Sequence, residues 1–294
     1  PALPNRVSLG LRPQLGFDTN LVTIQDDASL VEDSDRKSFF YGTILDAKLR
    51  LLESRAHALD LEYRGSFRAY ASESGLSSAD NVFSLVGRTP LSPVIDLELR
   101  LSLGGVLLAD EGHFRTERAI RPSLLYRPFE GWQFRLGIEW SDADYYADAP
   151  AEQDRDGTRQ GVRLEATWEA GKGWSLTPLA AFRDLNTEGS DYEGVEREIG
   201  LRVGAPELLG VQPLLVLGHI RAPFDNPHSL TGFTRSRKDR RTAVSFIFVF
   251  PSLEKIAGFV PSATIGFEDW NSNIEEFDFR RWQPQVEFAI NLPC

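Results

Sequence analysis

Hydrophobic and polar side chains alternate along almost the whole chain, and the polar member is very often a full charge. Val7, Leu9, Leu11, Leu15 and Phe17 take odd positions, with Ser8, Gly10, Arg12, Gln14 and Gly16 between them. Leu97, Leu99, Leu101 and Leu103 interleave in the same way with Asp96, Glu98, Arg100 and Ser102. A period of two is the period of an extended strand, so each segment has one apolar face and one hydrated face. A soluble sandwich would turn the apolar faces inward, whereas a transmembrane barrel turns them to lipid and gathers polar groups in its lumen. Arg and Glu recur on the hydrated face of nearly every segment. That favours the barrel.

The alternation divides the chain into fourteen segments, an even number within the range of bacterial barrels. They run over 5–17, 37–51, 55–71, 81–89, 93–107, 116–128, 131–142, 158–169, 173–184, 194–205, 211–222, 240–250, 258–269 and 278–292. The segment 81–89 has the weakest pattern. Short turns are expected near Glu53-Ser54, Thr89-Pro90, 128–131, 170–173, 206–210 and 251–257, and longer polar loops at 18–36, 72–80, 108–115, 143–157, 185–193, 223–239 and 270–277. Alternating short and long connections are the mark of an up-and-down barrel with tight periplasmic turns, which puts both termini in the periplasm. The expected fold is therefore a single antiparallel transmembrane β-barrel domain over 1–294, closed because lipid cannot satisfy an open sheet edge.

Aromatic residues gather at the segment ends. Tyr126, Trp132, Trp168, Trp174 and Phe250 flank the short turns, Phe17, Phe39, Tyr41, Trp140, Phe182 and Phe267 flank the long loops, and Trp282 is a further expected interface aromatic. Two aromatic rows around an aliphatic band are the interfacial girdles of an outer-membrane barrel, where amphipathic rings sit at headgroup level.

Composition removes several other classes. No apolar run reaches the roughly 18 residues of a membrane helix. A net charge of −11 argues against a nucleic-acid partner. The single cysteine, Cys294, excludes a disulfide framework within the chain. A start at Pro1 without a signal peptide is expected of a mature or trimmed chain.

On the hydrated faces, Arg12, Asp46, Lys48, Glu62, Arg64, Asp96, Glu98, Arg100, Arg121, Arg135, Glu139, Arg163, Glu165, Glu198, Arg202, Arg221, Arg281 and Glu287 are expected to line the lumen. Such charges either tune a pore's selectivity or pair across strands to stiffen its wall, and their even mixture of signs favours pairing for most. No catalytic set stands out. His57 is placed outward near a short turn, His219 on either face, and His113 and His228 in solvated outer loops beside Asp110, Glu111 and Asp225. Acidic stretches at Asp26, Asp27, Glu32, Asp33 and Asp35 and at Asp142, Asp144 and Asp148 lack the spacing of a calcium loop, so no metal or cofactor is implied.

Short motifs near both ends add a resemblance. Leu15-Gly16-Phe17-Asp18-Thr19-Asn20 carries the chain's first strand into its outer loop. Near the other end come Arg237 to Arg241, Gly258-Phe259-Val260-Pro261, Trp270-Asn271-Ser272-Asn273 and Phe277-Asp278-Phe279-Arg280-Arg281. Together they resemble the C-terminal barrel of the surface lipoprotein assembly modifier (Slam) family. The resemblance implies translocation across the bacterial outer membrane, with a periplasmic helical-repeat protein or a surface lipoprotein as partner beside the membrane lipid itself. The alternatives are a plugged anchor barrel within an envelope assembly and a passive diffusion porin for small solutes.

Overall fold

A computed structural model describes residues 6–20, 37–54, 57–72, 74–110, 112–146, 150–254 and 258–292. Fourteen strands follow one another: β1 (Val7–Asp18), β2 (Ser38–Glu53), β3 (Ala58–Tyr70), β4 (Ser78–Ser92), β5 (Ile95–Leu108), β6 (Gly112–Tyr126), β7 (Trp132–Tyr145), β8 (Gly157–Ala170), β9 (Trp174–Thr187), β10 (Gly194–Gly204), β11 (Gln212–Pro227), β12 (Ser236–Val249), β13 (Val260–Ser272) and β14 (Phe279–Leu292). Each pairs antiparallel with its sequence neighbours, and β1 closes the barrel onto β14 with Leu9 opposite Leu292 and Gly16 opposite Gln285. No sheet edge is left, as lipid requires.

The connections separate the barrel into a turn end and a loop end. Pro93-Val94 alone joins β4 to β5, and Gly131 and Gly173 adopt left-handed φ values of 77° and 87° at the neighbouring turns, where a side chain would be strained. The described chain ends also lie at the turn end, since Val7 pairs with Leu49 and Leu9 with Leu292. At the loop end, one-turn 3-10 helices at Ala151–Gln153, Ser190–Tyr192, Ser229–Thr231 and Glu275–Phe277 fold the loops compactly. The expected loop stretch with Asp26, Asp27, Glu32, Asp33 and Asp35 lies outside the described residues, as does Asp148.

Faces follow strand parity. Leu99, Phe134, Leu136, Leu164 and Phe248 are exposed on the outer surface, while Arg100, Arg135 and Glu165 border internal cavities. Outward apolar side chains on a closed barrel have only lipid to cover them. The barrel therefore spans a membrane.

Three expectations need correction. The segment expected at 81–89 is a full strand over Ser78–Ser92, because Asp80, Ser84 and Arg88 continue its inward polar row and Pro90 sits at a register shift rather than ending the pairing. The loop expected at 108–115 is only three residues long. His113 lies on β6 and stacks on Tyr146 with ring centroids 4.4 Å apart. The interior is also not polar throughout. Phe40 with Tyr70, then Val106 with Leu108 and Phe114, and Tyr192 with Ala222 and Phe224 form buried apolar clusters inside the loop end.

Candidate functional site

The lumen wall is a ladder of charge pairs between near strands. Arg12 meets Asp46 at 2.6 Å and reaches Glu287 across the β1–β14 seam at 3.6 Å. Lys48 contacts Asp60 at 2.7 Å and Glu62 at 3.4 Å, and Arg100 contacts Glu62 at 2.9 Å. Glu98 accepts from Arg88 at 2.5 Å and Arg135 at 2.7 Å, and Asp96 pairs with Arg127. Arg64 lies 3.8 Å from Asp46, Arg121 3.4 Å from Glu117, and Arg163 3.5 Å from Glu165. Arg281 bridges Glu268 at 3.4 Å and Asp18 at 3.7 Å. On Arg183 three carboxylates converge: Glu139, Glu196 and Glu198, the last at 2.7 Å.

These pairs share one geometric rule. Each joins residues on the same strand, on adjacent strands or on strands one apart, except that Arg127 reaches Asp96 from the turn directly after β6, and among the described residues none of these pairs crosses the lumen. Strands about 4.8 Å apart put inward neighbours within reach of long side chains, whereas the opposite wall is beyond them. Pairing lowers the cost of confining charge, and it leaves the axis unobstructed by these groups. A cavity of about 420 Å³ opens toward the loop end, lined by Arg115, Glu117, Arg155, Arg159, Arg183, Glu196, Arg237, Asp239 and Arg241. Another, of about 590 Å³, lies toward the turn end against Arg12, Asp46, Lys48, Glu62, Arg64 and Arg100.

Of the residues expected to line the lumen, all but one take inward positions; Arg202 does so beside buried Thr177, with the same parity as Glu198. Arg221 does not. It is in register with Arg197 and Arg240 on the outer face, two positions from His219, which also points outward opposite exposed Ile199. The parity of β11 is unreadable from sequence because Leu214, Leu215, Val216 and Leu217 are apolar on both faces. Among the lumen charges absent from the expected set are Asp60, Arg88, Glu117 and Glu268 of the ladder, and Arg183 and Arg237. Arg183 has the opposite parity to outward Phe182, and Arg237 begins the series Arg237, Asp239, Arg241 that strand β12 turns inward.

The expected interface aromatics form two outer rows. Tyr126, Trp168 and Trp174 are exposed at the turn end, where Trp132 stacks on Trp168 and Phe250 follows β12. Trp140 and Trp282 are exposed toward the loop end, and Phe267 lies 4.7 Å from Trp282.

His228 is a second correction. It is fully buried rather than solvated, and its acidic neighbour is Asp191, not Asp225. The Asp191 carboxylate lies 3.4 Å from His228 Nδ1 and accepts hydrogen bonds from the Ser229 backbone N–H at 2.9 Å and hydroxyl at 2.5 Å. Nδ1 accepts from the Leu230 backbone N–H at 3.2 Å. The Ser229 hydroxyl thus donates to the carboxylate and makes no hydrogen bond to the imidazole, so this Ser/His/Asp group clamps a loop instead of arming a nucleophile. Burial pushes the His228 pKa below its usual range; Asp191 opposes that shift and Arg237 adds to it. Arg237 itself is buried over Phe277 at 3.5 Å and Phe224 at 4.7 Å, and donates to Asp239 at 2.6 Å. Asp142 and Asp144 lie 3.9 and 3.8 Å from Arg118, and no grouping suited to a metal occurs among the described residues.

No protein-family model and no curated protein matches the chain. Among solved structures, the fold is similar to the outer membrane protein OpdK from Pseudomonas aeruginosa, at 10% identity over 97% of this chain and 99% of that one, with a TM-score of 0.46. It is also similar to Acinetobacter baumannii OccAB4 (8%, 98% and 98%, TM-score 0.47) and to P. aeruginosa OccK2, also named OpdF (10%, 97% and 98%, TM-score 0.48). At these identities and scores the likeness is one of barrel architecture alone. The resemblance to Slam barrels remains confined to short motifs, and several of their residues serve the barrel seam. Thr19 and Trp282 exchange hydrogen bonds at 3.1 and 2.8 Å, and the buried Asp18 carboxylate accepts from the Gln283 side chain at 3.1 Å and from the Asn20 backbone N–H at 3.0 Å.

Proposed function

We propose that this chain is a bacterial outer-membrane channel for passive diffusion of small polar solutes, with its turn end and termini in the periplasm. The observation that carries the reading is the wall-bound pairing of the lumen charges, which confines ion pairs to near strands and leaves cavities bordered by charged side chains toward both ends. A translocator of Slam type is the weaker reading, because motif residues of both ends, Asn20 with Arg280 and Asp18 with Arg281, are engaged in holding β1 to β14. The lining also suggests a solute class. Six arginines face three carboxylates around the loop-end cavity, although the chain as a whole is acidic. Charges lining a pore set its ion preference, so this lumen favours anions. The test is single-channel recording in planar bilayers. Stepwise, sustained currents with a reversal potential on the chloride side of zero in a KCl gradient are expected. Silence from correctly folded protein would reject a passive channel, and a potassium-side reversal would reject the anion preference.

A further inference from the structure

The lumen ladder absorbs most of the chain's arginines, and one group stands apart from it. Arg197 on β10, Arg221 on β11 and Arg240 on β12 are directly in register, side by side on three adjacent strands, exposed on the outer face. Like charges placed opposite one another on a sheet repel. Elsewhere on this exterior, arginines have acidic neighbours: Arg118 lies near Asp142 and Asp144, and Arg280 pairs with Asp269 at 2.7 Å. The row has no ion-pair partner among the described residues; Arg221 instead donates to His219 Nε2 at 3.3 Å. Asp184, two positions along β9 from the partner of Arg197, makes no ion pair with it.

Their height gives the row a meaning. Going from the turn end, the outward positions are Val203, Leu201 and Ile199 before Arg197, Leu215, Leu217 and His219 before Arg221, and Phe246, Val244 and Thr242 before Arg240. The arginines thus end the apolar belt toward the loops, and Arg197 lies opposite Phe182 of the loop-end aromatic row. We propose that Arg197, Arg221 and Arg240 form a docking row for the phosphate groups of an anionic lipid in the leaflet at the loop end. Guanidinium forks bind phosphate in paired hydrogen bonds, and three of them across two strand spacings cover about 10 Å, enough to engage more than one phosphate. The proposal depends on the barrel lying in a membrane, and it is independent of whether the lumen conducts.

The full chain in detergent would be titrated with diphosphorylated lipid A and with its dephosphorylated form, and bound lipid counted by native mass spectrometry. Three basic residues at a membrane surface predict roughly 100-fold tighter binding of the phosphorylated form. The R197Q/R221Q/R240Q variant should lose that preference while keeping wild-type conductance, and R118Q should retain it. Equal binding of the two lipids by the wild-type chain would overturn the proposal without any variant having to fold. So would an unchanged preference in the triple variant, an equal loss in R118Q, or displacement of the lipid by equimolar inorganic phosphate.

Discussion

Arg183 shows how much one side chain can hold in this wall. Its guanidinium is the common partner of Glu139, Glu196 and Glu198 and keeps only 9% of its side-chain surface exposed, against 17–20% for the three carboxylates. Arg183→Gln leaves three glutamates facing one another. Removing one partner of a buried pair costs about 3–5 kcal/mol, and lumen water reaching the carboxylates puts this case near 3 kcal/mol. Guanidinium unfolding in micelles should show that loss; a change under 1 kcal/mol would mean that solvent already screens the cluster. His228 has the opposite character, a buried base held neutral among Asp191, Arg237, Asp239 and Glu276. Its folded value lies below the value near 6.5 of a free imidazole, so the opened loop takes up the proton first as pH falls. The closed loop should therefore lose stability from about pH 6.5 downward, until the folded value is passed. Hydrogen exchange at residues 229–234, corrected for intrinsic rate, should accelerate over that window in the wild type and stay flat in His228→Gln. Greater protection at lower pH would contradict the assignment.

Strands were the most legible elements because one face of each meets lipid and the other meets water or partner charges. That contrast makes period two visible at Leu97 to Leu103 and at Phe134 to Trp140. It fails where both faces share a character. β11 carries an apolar run on both faces and then Ile220 inward and Arg221 outward, so the inference from charge to lumen fails there. The same blindness covers the loop end, where Phe40, Phe114 and Phe224 are buried inside the barrel and His228 is sealed against the rings of Tyr192 and Phe277. Phe40 meets Tyr70, and Phe114 meets Val106 and Leu108, on neighbouring strands, whereas His228 meets Tyr192 and Phe277 through loops that fold back; no local pattern records either kind of contact. The seam was visible only as a motif of unknown purpose. Gly16 shows its purpose, since a Cβ there would stand 2.3 Å from the Phe40 ring and 2.8 Å from the Pro284 carbonyl. Gly16→Ala should destabilise the barrel by about 1–3 kcal/mol, the usual cost of overpacking. Heat-modified mobility on gels would check this, and an unshifted unfolding temperature would mean that Phe40 moves aside freely.

For the molecule as a whole, fold and face assignment rest on one partition. Aliphatic and aromatic side chains such as Leu136, Leu164 and Phe246 meet lipid, and the paired charges of Glu98, Arg135 and Arg183 meet a wet interior. Channel, anchor and lipid-docking readings all presuppose it, and each would need rebuilding without it. Nitroxide labels placed singly at positions 162 to 166 on β8, in reconstituted vesicles, examine it residue by residue. Labels at 162, 164 and 166 should relax with membrane-dissolved oxygen and ignore a water-soluble nickel chelate, and labels at 163 and 165 should do the reverse. A uniform response along the strand, or the chelate reaching 162 and 164, would contradict a membrane-spanning barrel with a hydrated lumen.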